Sequence, residues 1–228
     1  MNKRSVLFDT ETTGVNPDQG DRIIEIAAIE LINDLPTDKF YHVLLNPERD
    51  IPIEATKVHG FTLDDLKDKQ KFKEIVDDFL NFIQDDPLVA HNAPFDFRFV
   101  NAELNRIKRP PISMDRMIDT LQLARAKFPS SPNSLDALCR RFSIDLSERT
   151  THNALLDCKL LSEVYIQLTG GRQRGLGFAN QRSEKTSKVY QSIKKHTSIF
   201  IKPTKEEIEL HREFLEKKIP NALWNQEK

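Results

Sequence analysis

The segment "FDTETTG", residues 8–14, sets two acids one residue apart at the end of an apolar run. If it is extended, Asp9 and Glu11 point to the same side, because side chains alternate along a strand. Two carboxylates on one face repel unless a cation compensates them. A hard divalent ion such as Mg2+ or Mn2+ accepts oxygen ligands of this kind. A plainer reading also stands: Asp9 ends a strand, Glu11 is solvated and the threonines form a turn. Two later segments bear on the choice. "HNAPFD", residues 91–96, puts Asp96 just after a predicted strand end, in an otherwise apolar helix start. "THNALLD", residues 151–157, puts Asp157 on the first turns of a helix, with His152 five residues upstream. Either acid alone could be a helix N-terminal charge favoured by the dipole, and a lone histidine is often structural. Four acids and a histidine, all at strand ends or helix starts, are most simply explained as one site.

The elements that must position these residues are legible as periodicities. "SVLFD" reads as a buried strand ending at Asp9, and "RIIEIAAIELI" and "KFYHVLL" as two more. Turns containing "NPDQGD" and "NDLPTD" join them into an antiparallel meander. "FKEIVDDFLNFI" carries Phe72, Ile75, Val76, Phe79, Leu80 and Ile83 at the spacing of an amphipathic helix. "LVAHN" reads as a fourth strand and "FDFRFVNAELNRI" as the helix after it. Helical patterns recur at "MIDTLQLARAKF", "SLDALCRRF" and "NALLDCKLLSEVYIQL", the last closed by a glycine cap at "TGG". Strands followed by helices predict an α/β domain with a mixed central sheet.

The 228 residues suit one ordinary domain plus an appendage. No apolar run approaches the ~20 residues of a membrane span, and the first residues lack a signal-peptide core. The expectation is no membrane association. Cys139 and Cys158 lack metal-type spacing, so a reducing cytoplasm is the expected location. The net charge of −1 conceals an asymmetry: residues 1–170 carry 21 basic against 28 acidic side chains, and residues 171–228 carry 13 against 7. An acidic body lacks the basic patches on which passive nucleic-acid binding relies. If it handles nucleic acid, metal ions must bridge its carboxylates to phosphate.

"FDTETTG", "HNAPFD" and "HNALLD" resemble the three exonuclease motifs of the DEDD superfamily in its histidine-containing (DEDDh) branch. "IEATKVHG" and "NSLDALCRRF" add further family-like blocks. Within that branch the chain is most similar, from Ser5 to about Gly171, to the proofreading epsilon subunits of bacterial DNA polymerase III. The resemblance implies a ribonuclease H-like exonuclease fold, a mixed central sheet flanked by helices, with a flexible C-terminal tail. It implies two divalent metal ions, Mg2+ or Mn2+, with Asp9 bridging both, Glu11 and Asp157 completing most of the protein ligation, and Asp96 acting mainly through water. His152 is then the general base, and the reaction is hydrolysis of the terminal phosphodiester at a single-stranded 3′ end of DNA, releasing nucleoside 5′-monophosphates. Asp9, Glu11 and Asp157 would also touch the substrate. The loop "EATKVHG" offers Glu54 and His59 to the terminal sugar and base, and the backbone around Thr10 and Thr12 approaches the 3′-OH. Phe95 either stacks on a splayed base or packs in the core; His91 and Asn92 order the second motif.

The implied organisation is an exonuclease domain over 1–171, a flexible basic linker over 172–198 and a polymerase-binding segment over 199–228. In the linker, "QRGLGF" resembles the docking motif of sliding-clamp partners, with Gln173, Leu176 and Phe178 as anchors; the alternative is a linker with stray apolar residues. The last segment carries a Thr204/Glu207 capping-box pattern, Ile208, His211 and Leu215 on one face, and Trp224. It resembles the part that binds the polymerase III alpha subunit; the alternative is a helix folding back on the domain. Two other functions compete: a DEDDh ribonuclease that trims RNA or oligonucleotides, and an inert scaffold subunit of the replicase.

Overall fold

Strand β1 (Arg4–Thr12) forms the centre of the sheet because it is apolar on both faces: Val6, Leu7 and Phe8 are all buried. The computed structural model describes residues 3–149, 151–170 and 202–219. β1 pairs antiparallel with β2 (Ile23–Ile32), which pairs antiparallel with β3 (Leu35–Leu44). On its other side β1 runs parallel to β4 (Leu88–Ala90), and β4 to β5 (Met117–Asp119), giving the order β3-β2-β1-β4-β5. The expected mixed sheet and meander are present.

Helices cover both faces. On one, Val6, Phe8, Ile26 and Ala28 pack with α3 (Phe72–Ile83) and α4 (Ala93–Arg106). On the other, Leu7, Ala27, Ile29 and Val89 pack with α5 (Thr120–Lys127), α6 (Leu135–Phe142) and α7 (Ala154–Leu168). Of the six apolar positions expected to face inward from α3, five are buried and Leu80 is half-buried. Each fully buried side chain of this size contributes about 1.5–3 kcal/mol, so packing rather than helix propensity holds α3.

The structure corrects the sequence reading in four places. β1 continues past Asp9 to Thr12, which keeps Glu11 on the strand beside Ile26's neighbour Glu25, its cross-strand partner. The β2–β3 turn is only Asn33-Asp34, both at positive φ, residue types that tolerate the left-handed region; β3 therefore starts at Leu35. "MIDTLQLARAKF" begins as strand β5, with Asp119 capping α5 through Leu121 N. "IEATKVH" is not a loop but helix α1 (Ile53–His59), followed by the single turn α2 (Leu63–Leu66).

The chain divides into two compact units, Met1–Phe178 and Ala179–Lys228. In the second, α8 (Lys205–Lys218) starts with the expected capping box, Thr204 against Glu207. The clamp-motif residues Gln173, Leu176 and Phe178, the rest of 172–198 and Trp224 lie outside the described residues. Among the described residues no helix is long and apolar enough to cross a membrane.

Candidate active site

The C-terminal end of β1 is where elements from both faces of the sheet meet. Asp9 and Glu11 follow Leu7 at two-residue spacing and so lie on the α7 side. Thr10 faces the other side, and both its backbone N–H (3.1 Å) and its hydroxyl (2.7 Å) donate to Asp96 Oδ1 at the start of α4. α4 can begin there because Asn92 turns the chain at φ 64°, with its N–H bound to Asp119 Oδ1. Asp157 sits in the first turn of α7, whose Asn153 cap accepts from Leu156 N. His152 is placed by its backbone N–H on Val58 C=O (3.0 Å).

Asp9, Glu11, Asp96, His152 and Asp157 all line one cavity of about 370 Å³, together with Thr10, Phe95 and Arg149. The predicted five are therefore brought together. Burial, then the charges of Asp96, Glu11, Asp157 and Glu25, raise the Asp9 carboxyl well above its ordinary range. Burial, then Asp157 and Glu25, pushes Glu11 up to about 8. Burial pushes Asp96 up to about 7 against the opposing Thr10 hydrogen bonds. Asp157 is the exception. Burial alone would raise it, but the Arg149 fork (2.6 and 2.7 Å) and His152 hold it below the usual range. His152 Nδ1 lies 3.3 Å from Asp157 Oδ2 and 2.9 Å from Arg149 Nη2, so the competition between an acceptor and a donor at one nitrogen sets its tautomer.

A second cavity of about 530 Å³ shares Thr10, Glu11 and Phe95 with the first and adds Thr12, Glu54 and His59. All the expected substrate residues therefore line one of two adjoining cavities. Phe95 is half-buried: its ring packs against Phe99 at 4.8 Å and also borders both cavities, so both readings of it describe part of the ring. His59 Nδ1 accepts from Phe61 N (3.1 Å), while its buried Nε2 has no hydrogen-bond partner among the described residues. Burial lowers this imidazole below its ordinary pKa, so the neutral ring carries its proton on Nε2.

Residues 6–165 match the profile of the family described as "Exonuclease". This chain belongs to that exonuclease family. It is 50% identical over 220 residues to the DNA polymerase III subunit epsilon of Rickettsia typhi, covering 94% of this chain and 96% of that one. The Haemophilus influenzae subunit of the same name is 39% identical over 242 residues, covering 97% and 94%. Among solved structures, Exonuclease X in complex with 5′ overhanging duplex DNA superposes with a TM-score of 0.57 at 27% identity, covering 72% and 90%. As a member of this nuclease family the chain is a hydrolase, and the DEDDh pattern implies divalent metal ions. The exonuclease cavity fits such ions. It gathers hard oxygen donors whose mutual repulsion is relieved by one cation, Arg149, and ligand atoms of Glu11, His152 and Asp157 lie within 4.8 Å of one another.

Two buried charges of this exonuclease escape a reading of the sequence. Arg149 joins Asp157, Asp136 and His152. Glu25, fully buried on β2, accepts from His42 Nε2 (2.7 Å), Asn153 Nδ2 (2.9 Å) and Ala154 N (3.0 Å), and so fixes the N-terminus of the helix that bears Asp157. An acid inside the apolar run "IIEIAAIELI" was the available signal, since a buried carboxylate must find donors. Glu25→Ala leaves three donors unpaired and lowers stability by about 3 kcal/mol, or roughly 10 °C in Tm. Glu25→Gln, which keeps an acceptor oxygen, loses less. Thermal unfolding of the two variants checks this, and an alanine variant as stable as the parent contradicts it.

Proposed function

We propose that this exonuclease is the proofreading subunit of a bacterial replicative DNA polymerase, removing nucleotides from a single-stranded 3′ end of DNA. The observation that carries the reading is the convergence of Asp9, Glu11, Asp96, Asp157 and His152 on one cavity beside a second, largely apolar one. Asp9, Glu11 and Asp157, with Asp96 beside Thr10, would hold two Mg2+ or Mn2+ ions. When bound there, such ions would supply Lewis acidity to the scissile phosphate and the attacking water and offset charge on the departing 3′ oxygen. His152 takes the proton of that water. Arg149 Nη2 and Asp157 Oδ2 both face Nδ1; in the tautomer whose Nδ1–H meets Asp157, Nε2 would keep its lone pair for this purpose.

The terminal nucleoside enters the second cavity. There His59 Nε2–H and Glu54 meet its sugar and base, the backbone at Thr10 and Thr12 meets the 3′-OH, and the Phe95 ring offers a stacking surface that tolerates any base. Selectivity for errors then needs no reading of the mismatch, because a mispaired terminus unpairs at lower cost and reaches a single-strand site more often. In the second unit, α8 exposes Leu210 and Phe214, one turn apart on one face, an apolar pair suited to the polymerase alpha subunit. Gln173, Leu176 and Phe178 are assigned to the sliding clamp, residues 172–198 to the linker, and the assembly to the cytoplasm. The test is release of nucleoside 5′-monophosphates from the 3′ end of single-stranded DNA with Mg2+ or Mn2+. Loss of release with chelator supports the reading. Release of 3′-monophosphates, or attack from the 5′ end, overturns it.

A further inference from the structure

A third cavity, about 700 Å³, opens beside the catalytic one and shares His91 and Ser134 with it. It shares no residue with the nucleoside cavity, which joins the catalytic cavity through Thr10, Glu11 and Phe95. The catalytic cavity therefore lies between the other two. The lining also changes sign along this path. Five acids line the catalytic cavity: Asp9, Glu11, Asp96, Asp136 and Asp157. None lines the third, whose one charged side chain is Arg125, on the exposed side of α5.

Most arginines among the described residues are engaged. Arg4, Arg22, Arg106, Arg116 and Arg149, for example, each hold carboxylates or carbonyls. Arg125 makes no side-chain hydrogen bond or ion pair with the described residues. The nearest acid in sequence, Asp119, already accepts from Asn92 N, Ala93 N and Leu121 N. The wall opposite is preformed. Asn133 donates to the carbonyls of Phe128 (3.2 Å) and Ser131 (2.8 Å) and accepts from Arg141, whose guanidinium lies 4.5 Å over the Phe128 ring.

We propose that this groove holds the phosphodiester backbone of the nucleotides immediately upstream of the scissile bond, with Arg125 as the phosphate contact and the Ser131 hydroxyl as a secondary donor. The inference rests on the exonuclease reading. With the terminal nucleoside in one flanking cavity and the scissile phosphate in the middle, the rest of the strand leaves through the other. A polar, acid-free groove with an uncommitted guanidinium suits a backbone regardless of base sequence, and in an acidic body it supplies attraction where the catalytic cavity repels. His91, held by Thr120 Oγ1 at 2.9 Å, forms the ridge between the two spaces.

Two substrates separate binding upstream from chemistry at the site. One is a single-stranded DNA 10-mer. The other is the p-nitrophenyl ester of thymidine 5′-monophosphate, which has a nucleoside and a scissile phosphate but no upstream nucleotide. In the full-length protein, Arg125→Ala raises KM for the 10-mer about tenfold with kcat within about twofold. It also flattens the log–log salt dependence of kcat/KM by about 0.7. Turnover of the ester is unchanged, and Arg125→Lys recovers most of the loss. Equal loss on both substrates, or no change on either, overturns the groove assignment while leaving the exonuclease intact. A parent protein that hydrolyses neither substrate overturns the exonuclease reading itself.

Discussion

Asp9→Ala lowers kcat for 3′-end hydrolysis by at least about 10³-fold, yet leaves the metal-free protein no less stable than the parent. The first effect follows from the place of Asp9 in the cavity, where, on the proposed reading, it would hold the divalent ions together with Glu11 and Asp157. Several kcal/mol of transition-state stabilisation depend on those ions, at about 1.36 kcal/mol per factor of ten. The second follows from its surroundings. Burial and the charges of Asp96, Glu11, Asp157 and Glu25 make an ionised Asp9 unfavourable without metal, so removing it relieves repulsion. The same cluster gives a signed pH dependence. Glu11 at about 8 and Asp96 at about 7 lie above the ordinary carboxylate range that they regain on unfolding. The folded state therefore binds more protons between pH 4 and 8, and the stability these two groups contribute is present at low pH and lost as pH rises through that window. Asp157, held low, runs the other way: its contribution is present at neutral pH and lost on acidification below the ordinary aspartate range. The Tm difference between parent and Glu11→Gln, followed in chelator from pH 5 to 8, isolates the Glu11 contribution. The parent should lose ground to the variant as pH rises, and Mg2+ should reverse the trend, because it binds the deprotonated cluster. An Asp9→Ala protein that keeps a tenth of the parent activity contradicts the assignment.

His152→Ala lowers kcat by about 10³-fold, within the ~10²–10⁴ expected for loss of a general base. KM stays within about twofold, and Tm barely moves. The side chain is half exposed, and the backbone bond from His152 N to Val58 C=O survives the substitution. Added imidazole restores part of the rate. The alternative has a distinct signature. Because His152 also groups with Glu11 and Asp157 within ligand distance, a histidine acting as a metal ligand would instead shift the metal concentration needed for half-maximal rate. A variant whose rate recovers fully at high Mn2+ contradicts the base role.

The parts of the fold that were legible in sequence are those whose side chains repeat with a period. β1, β2 and α3 are set by apolar runs or stripes, and the observed α3 matches its stripe from Phe72 to Ile83. The acids of the site were legible for the opposite reason: each breaks an apolar pattern at an element end. α1 has no such stripe. Of its residues only His59 is buried, and Ile53 and Val58 are exposed, so its helix is a consequence of the Pro52 start and the Gly60 stop at φ 84° rather than of patterning. β5 is three half-buried residues pairing, among the described residues, with β4 alone, too short to show alternation. Arg149 carries no local sign of burial. Its importance comes from α6 and α7 bringing Asp136 and Asp157 to it, a tertiary fact.

A proofreading role is tested most directly by comparing excision rates on three 3′-labelled substrates of one sequence, in Mg2+: duplex DNA with a paired terminus, duplex DNA with a mispaired terminus, and RNA. The mispaired DNA end should be removed about tenfold or more faster than the paired one, reflecting its lower unpairing cost. RNA should be slower than mispaired DNA, and Asp9→Ala should remove all activity. Equal rates on paired and mispaired ends, or faster removal from RNA, would contradict a proofreading role and place the same chemistry in an RNA-trimming enzyme.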